Sequence, residues 1–114
     1  MIHRLYTEVA DEYGLAAGLI FYHIGYWVEK NRKDNHNLHA CRYWIYTSIH
    51  ELKEKVFFYL SENQIRYAID KLRDGGLIET GNWNKTSYDR TLWYTLTEKG
   101  LGIWEFCKKD NDIF

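Results

Sequence analysis

Apolar positions in this chain recur with two periods, and the changes of period mark its elements. Thr7 reads as the N-cap of a short helical turn over Glu8 to Tyr13, which Gly14 interrupts. From Leu15 to Lys30 the residues are good helix material. Leu15, Leu19, Tyr22 and Tyr26 form one stripe, Ala16, Ile20 and Trp27 a second, and Ile24 and Val28 a third line. A helix apolar nearly all round must be covered on several sides, one of them open to a partner. "NRKDNHN", Asn31 to Asn37, reads as a polar loop. "RYWIYT", Arg42 to Thr47, has strand composition.

Ser48 with Glu51 three residues on forms a capping-box pattern. The helix it opens should run to about Val56, with Ile49, Leu52 and Val56 inward. Phe57 to Leu60 reads as an aromatic connector plugging the core. Ser61 and Gln64 repeat the capping box, and Ile65, Ala68, Ile69 and Leu72 follow at helical spacing. Gly75 and Gly76 stop that helix. Leu77 to Asn82 and Thr91 to Thr97 then predict an antiparallel pair around a polar tip, Trp83 to Arg90. The segment from Glu98 to Lys109 reads as a helix that Gly100 and Gly102 weaken, with Leu101, Trp104 and Cys107 on one side.

This order predicts an α+β, mainly α, single domain. N-terminal helices occupy 1–37, a winged helix-turn-helix with a three-stranded antiparallel sheet occupies 42–97, and a C-terminal helix occupies 98–110. A chain of 114 residues can bury a core without staples. It carries ten Tyr and five Trp, more rings than such a core encloses, and the surplus predicts a second buried surface such as a dimer face. The formal charge is −1, so no overall basic field draws the chain to nucleic acid. Cys41 and Cys107 read as reduced thiols of a cytoplasmic protein. Leu15 to Val28 is too short to span a membrane and His23 interrupts it, and the N-terminus has no signal-peptide pattern.

Chemistry-bearing residues gather in two places. On the Ser61–Asp74 helix, at about 100° per residue, Asn63, Tyr67, Asp70 and Asp74 lie opposite the apolar stripe. Gln64, Arg66, Lys71 and Arg73 flank them. Asn and Gln pair bidentately with adenine and Arg with guanine in the major groove, and the first turns of such a helix reach furthest in. Ser61, Asn63, Gln64, Arg66, Tyr67 and Lys71 are therefore candidate DNA-binding residues. The helix is charge-neutral, with Arg66, Lys71 and Arg73 against Glu62, Asp70 and Asp74. In the tip, Asn84, Lys85 and Arg90 are candidates for phosphate oxygens or a narrow minor groove, and Asp89 leaves it at net +1. His36, His39 and Cys41 are of zinc-ligand type but lack a fourth ligand and a Cys-pair spacing. No nucleophile elbow, phosphate-binding glycine loop or zinc-protease motif occurs, so neither catalysis, a cofactor nor a metal is expected.

The stretch "RYWIYTSIHELKEKVFFYLSENQIRYAIDKLRDGGLIETGNWNKTSYDRTLWYTL" resembles the winged-helix domain at the N-terminus of phage and mobile-element replication initiators, related to DnaD-like primosome proteins. The matching positions are Arg42, Tyr43 and Trp44; Ser61; Gly76, Leu77 and Ile78; Gly81 to Lys85; and Asp89, Arg90, Thr91, Trp93 and Tyr94. The chain departs from the pattern at Tyr59-Leu60, where that family has an aromatic followed by Trp. "LTEKG" is closer to the strand-to-helix exit of small dimeric transcriptional regulators.

The resemblance implies double-stranded DNA as partner, in replication initiation or transcriptional regulation, with replication proteins as further partners. A homodimer through Leu15–Val28 and Leu101–Cys107 is expected, and no membrane. The alternative is an assembly module of a replication complex that makes no direct DNA contact, which the near-zero charge favours.

Overall fold

A computed structural model of the chain describes residues 2–111. The fold is α+β: five helices around a three-stranded antiparallel sheet, with a separate two-stranded hairpin. Helix α1 spans Thr7–Tyr13 and α2 spans Leu15–Asp34. The hairpin is β1 (Leu38–His39) with β2 (Arg42–Tyr43), and β3 follows at Ile45–Tyr46. Then come α3 (Ile49–Glu51), which continues as a π-helical turn over Leu52–Val56, and α4 (Glu62–Asp74). Strands β4 (Ile78–Gly81) and β5 (Trp93–Leu96) precede α5 (Glu98–Asn111).

Helix α2 is the centre of the molecule. Ala17, Leu19, Ile20, Phe21, Ile24 and Val28 are buried against the chain's own α1, α4 and sheet. The covering that its all-round apolar surface requires is therefore mostly intramolecular. Leu15, Tyr26 and Trp27 are what α2 leaves exposed, and Leu101 and Phe106 what α5 leaves exposed. Of Leu101, Trp104 and Cys107, expected on one side of this helix, the last two are buried while Leu101 is exposed. Trp104 fills the space over α2 that Gly25 leaves; a Cβ there would overlap its ring.

Several boundaries moved for identifiable reasons. Thr7 does not cap α1: Tyr6 occupies the N-cap with no side-chain bond, and its carbonyl takes the amides of Val9 and Ala10, both at 3.1 Å. The expected loop from Asn31 begins only after Asp34. Asn31 is buried and its Nδ2 donates to the Trp44 carbonyl at 2.8 Å, which carries the helix one turn further. Arg32 and Lys33 suit that C-terminus, and Asn35 ends it in the left-handed region with φ 52°. The single strand expected over Arg42 to Thr47 changes partner at Trp44. Its first half pairs with Leu38–His39 and its second with Trp93–Tyr94.

The sheet order is β3-β5-β4, with Ile45 opposite Tyr94 and Ile78 opposite Leu96. Central β5 is apolar and buried, and its one polar buried residue, Thr95, donates to the Tyr43 carbonyl at 2.6 Å. Ser48 caps α3 by accepting the Glu51 amide at 3.0 Å, while the Glu51 carboxylate turns to Lys55 instead of closing the box. The π turn brings the Phe57 amide to the Leu52 carbonyl at 2.7 Å, so both side chains enter the core. Beyond it the expected plug is half realised: Phe57 and Leu60 are buried, Phe58 and Tyr59 exposed. The Lys53 ammonium holds this connector by donating to the Phe58 and Leu60 carbonyls.

Candidate nucleic-acid interface

Helix α4 presents the candidate residues on one face because its opposite stripe, Ile65, Ala68, Ile69 and Leu72, is sealed in the core. The expected capping box is complete. Ser61 Oγ accepts the Gln64 amide at 3.1 Å and Gln64 Oε1 accepts the Ser61 amide at 2.8 Å. Two candidate residues, Ser61 and Gln64, thus spend an oxygen each on starting the helix. The amides of Glu62 and Asn63 remain for an external acceptor.

Ser61, Asn63, Gln64, Arg66, Tyr67 and Lys71 are all exposed. Arg66 donates to the neutral Asn63 side chain at 3.2 Å, and the Lys71 ammonium lies 5.1 Å from the Tyr67 ring centroid. Neither cation has a carboxylate partner among the described residues. Arg73 is different, paired with Asp70 at 2.8 Å. Glu62, the acid at the helix start, lies 3.8 Å from His50. The helix that is neutral by count pairs Arg73 with Asp70 and leaves Arg66 and Lys71, in its middle, without a salt bridge among the described residues. Their surface contacts are worth a few tenths of a kcal/mol each and exchange readily for a phosphate or a base edge.

The loop joining β4 to β5 is organised by Asn84. Its Nδ2 donates to the carbonyls of Asp89 and Thr91 at 2.9 and 2.8 Å, and its Oδ1 accepts the Trp93 indole N–H at 2.7 Å. Asn82 Oδ1 accepts the Asn84 amide at 3.0 Å, an Asx turn that starts the reversal. The Asn84 side chain is thereby committed within the protein, and it acts on the tip by shaping it. Asp89 also turns inward, accepting from the Thr91 amide at 3.1 Å and the Tyr46 hydroxyl at 2.9 Å. Those bonds, the Thr91 amide first, hold its carboxyl below the usual range. Lys85 and Arg90 are exposed, and neither has a carboxylate partner among the described residues. A tip of net +1 by count thus offers two cations outward while its acid is tied down. Sequence reasoning missed Tyr46 as the partner of Asp89; the signal available was a tyrosine in the strand that pairs with the loop's exit strand.

His39, weighed as a zinc-ligand type, stacks on Trp83 at 5.1 Å with 4° between the rings, and Cys41 is exposed in the β1–β2 turn. The described residues contain no group of three His, Cys, Asp or Glu side chains able to share a metal ion. They also contain no helix long and apolar enough to cross a membrane. No protein-family model matches the chain, and no curated protein and no solved structure does so either.

Proposed function

We propose that this chain is a double-stranded-DNA-binding winged helix-turn-helix protein. Helix α3 with its π turn and α4 form the helix pair, and α4 is the recognition helix entering the major groove. The β4–β5 loop is the wing, resting on the phosphate backbone. The observation that carries this reading is the placing of four exposed cations on these two elements, Arg66 and Lys71 on α4 and Lys85 and Arg90 on the loop, none with a carboxylate partner among the described residues. The three-stranded antiparallel sheet that positions the loop, β3-β5-β4, supports this reading. The resemblance to replication initiators of phages and mobile elements supports a role at an origin or promoter, as a dimer and in company with replication proteins.

A gel-shift titration of the intact chain against duplex fragments of its own genetic element tests the proposal. Retardation at low salt should weaken as salt rises, because each neutralised phosphate releases counterions. Replacing Lys85 and Arg90 together by Ala should lower the slope of log K against log salt by about two and weaken all sequences alike. Arg66→Ala should narrow the gap between preferred and random sequence. A folded protein that leaves every duplex unshifted at low salt ends the proposal.

The exposed rings of Phe58 and Tyr59 and the apolar Leu101 and Phe106 favour one further reading, a module that docks on other proteins. Under it the Lys85/Arg90 double variant keeps its partner.

A further inference from the structure

On the side of the sheet bordered by α2, an open groove of about 850 Å³ runs between α2, the hairpin and the β4–β5 loop. That is within the roughly 300–1,000 Å³ of small-ligand sites. Its walls are rings: Trp27 from α2, His39 from the hairpin, Tyr46 from β3, Trp83 from the loop and Trp93 from β5, with Lys85 beside them. No residue of α4 lines it, so the site stands apart from the proposed recognition helix, while it shares Lys85 with the proposed wing. These rings brace one another. Trp83 stacks on His39, Trp93 meets His39 edge-on at 5.3 Å, and Tyr46 tilts over Trp93 at 4.9 Å. Yet Tyr46, Trp27 and Trp83 keep 44%, 37% and 36% of their surface open. A core would have enclosed them.

Three of the groove's hydrogen-bonding groups are spent inside the protein, while His36, Asn37 and Thr86 also line it. The Asn84 amide is committed at all three of its bonds, the Tyr46 hydroxyl donates to Asp89, and the Trp93 N–H donates to Asn84. What the groove offers is ring faces and, at its loop end, the Lys85 ammonium, which has no carboxylate partner among the described residues, although the Asp89 carboxylate lines the same groove. That pairing of ring and ammonium suits a flat heteroaromatic ring attached to a phosphate, because every base has a π face and stacking tolerates any sequence.

We propose that this groove binds an unpaired nucleobase, stacked among Trp27, Tyr46 and Trp83, with Lys85 on the adjoining phosphate. The chain would then hold a melted or single strand in this groove as well as a duplex on α4, with Lys85 of the loop common to both.

Titration of the intact chain with dodecathymidylate at low salt, read by tryptophan fluorescence, tests this. Saturable quenching is expected. Trp27→Ala should weaken binding about tenfold or more and Trp27→Phe should restore most of it, since a ring remains. Trp27 is partly exposed, so truncation spares the core, and circular dichroism checks that the variant is folded. Tyr46→Phe, which keeps the ring, should bind as the parent does, and Tyr46→Ala should not. Saturation by thymidine monophosphate alone, with the same loss in Trp27→Ala, supports the base site and makes a free nucleotide its occupant. Saturation by the oligomer only makes a strand the occupant. An abasic strand of equal length that binds as tightly, an unchanged affinity in both alanine variants, or no quenching by either probe would overturn the proposal.

Discussion

A single amide decides the shape of the β4–β5 loop. Asn84 ties the carbonyls of Asp89 and Thr91 to the indole of Trp93, closing a reversal whose flanking strands begin to pair only at Gly81 and Trp93. Each such bond contributes about 1 kcal/mol net, more where its loss strands a half-buried partner. Asn84→Ala should therefore destabilise the protein by roughly 2 kcal/mol and change the fluorescence of the tryptophans beside the loop. Urea unfolding followed at those tryptophans measures both, and an unchanged midpoint would show that the loop holds its form by other means. From the sequence, Asn84 reads as a donor for phosphate because its type and neighbourhood are polar. Its true partners are main-chain carbonyls, and composition says nothing about where a main chain turns. Arg66 and Lys71 were legible as exposed cations from helical spacing, whereas their lack of acid partners needed coordinates.

Among the elements, α4 was the most legible and the β1–β2 hairpin the least. The α4 pattern of Ser61, Gln64 and a four-residue apolar stripe contains both its start and its inward face, and both are found. In α5, Gly100 looks like a weakness by helix propensity. In the fold it is a necessity, because the Leu77 carbonyl passes where a Cβ would stand. The same turn is held by Thr97, whose hydroxyl accepts the Gly100 amide at 3.0 Å and donates to the Gly76 carbonyl. Gly100→Ala should lower stability by about 1–3 kcal/mol despite its better propensity, since the obstacle is backbone and cannot rotate away. Thermal unfolding decides the sign, and a raised midpoint would mean that α5 shifts freely away from β4. The hairpin over Leu38–Tyr43 was illegible for a related reason. Ala40 and Cys41 turn it at φ 50° and 62°, a conformation that sequence rules reserve for Asn-Gly, and the burial of Trp44 beside it holds the chain there.

Over the whole molecule, burial of α2 makes stability depend on pH. Burial, with the facing His3 imidazole adding to it, takes His23 from 6.5 down to about 4, and the rings of Phe57 and Trp27 pack against it. The unfolded imidazole binds its proton more tightly than the folded one. Stability from this group is thus complete above about 6.5 and is lost as pH falls toward 4, by roughly 3 kcal/mol. Asp89 acts in the same direction at lower pH, since its carboxyl is held below the usual range. For Glu29, burial pushes the carboxyl up, but Lys108, Lys33 and Trp104 outweigh it and hold it low, so its contribution is also lost in acid. Denaturant midpoints measured from pH 7 to pH 4 should fall in the parent and fall less in His23→Gln; parallel curves would remove His23 as the cause. The amphipathic periods, the caps at Ser48 and Ser61 and the polar interruption between Gly81 and Thr91 were set by local sequence, because each acts within one or two turns of chain. Which aromatic rings sink and which line an open groove, where Arg42 to Tyr46 changes strand partner, and which cations meet a carboxylate were decided only by tertiary packing. Those outcomes depend on residues forty or more positions apart meeting, as Tyr46 meets Asp89 and Trp93, and no pattern along the chain encodes a meeting at that distance.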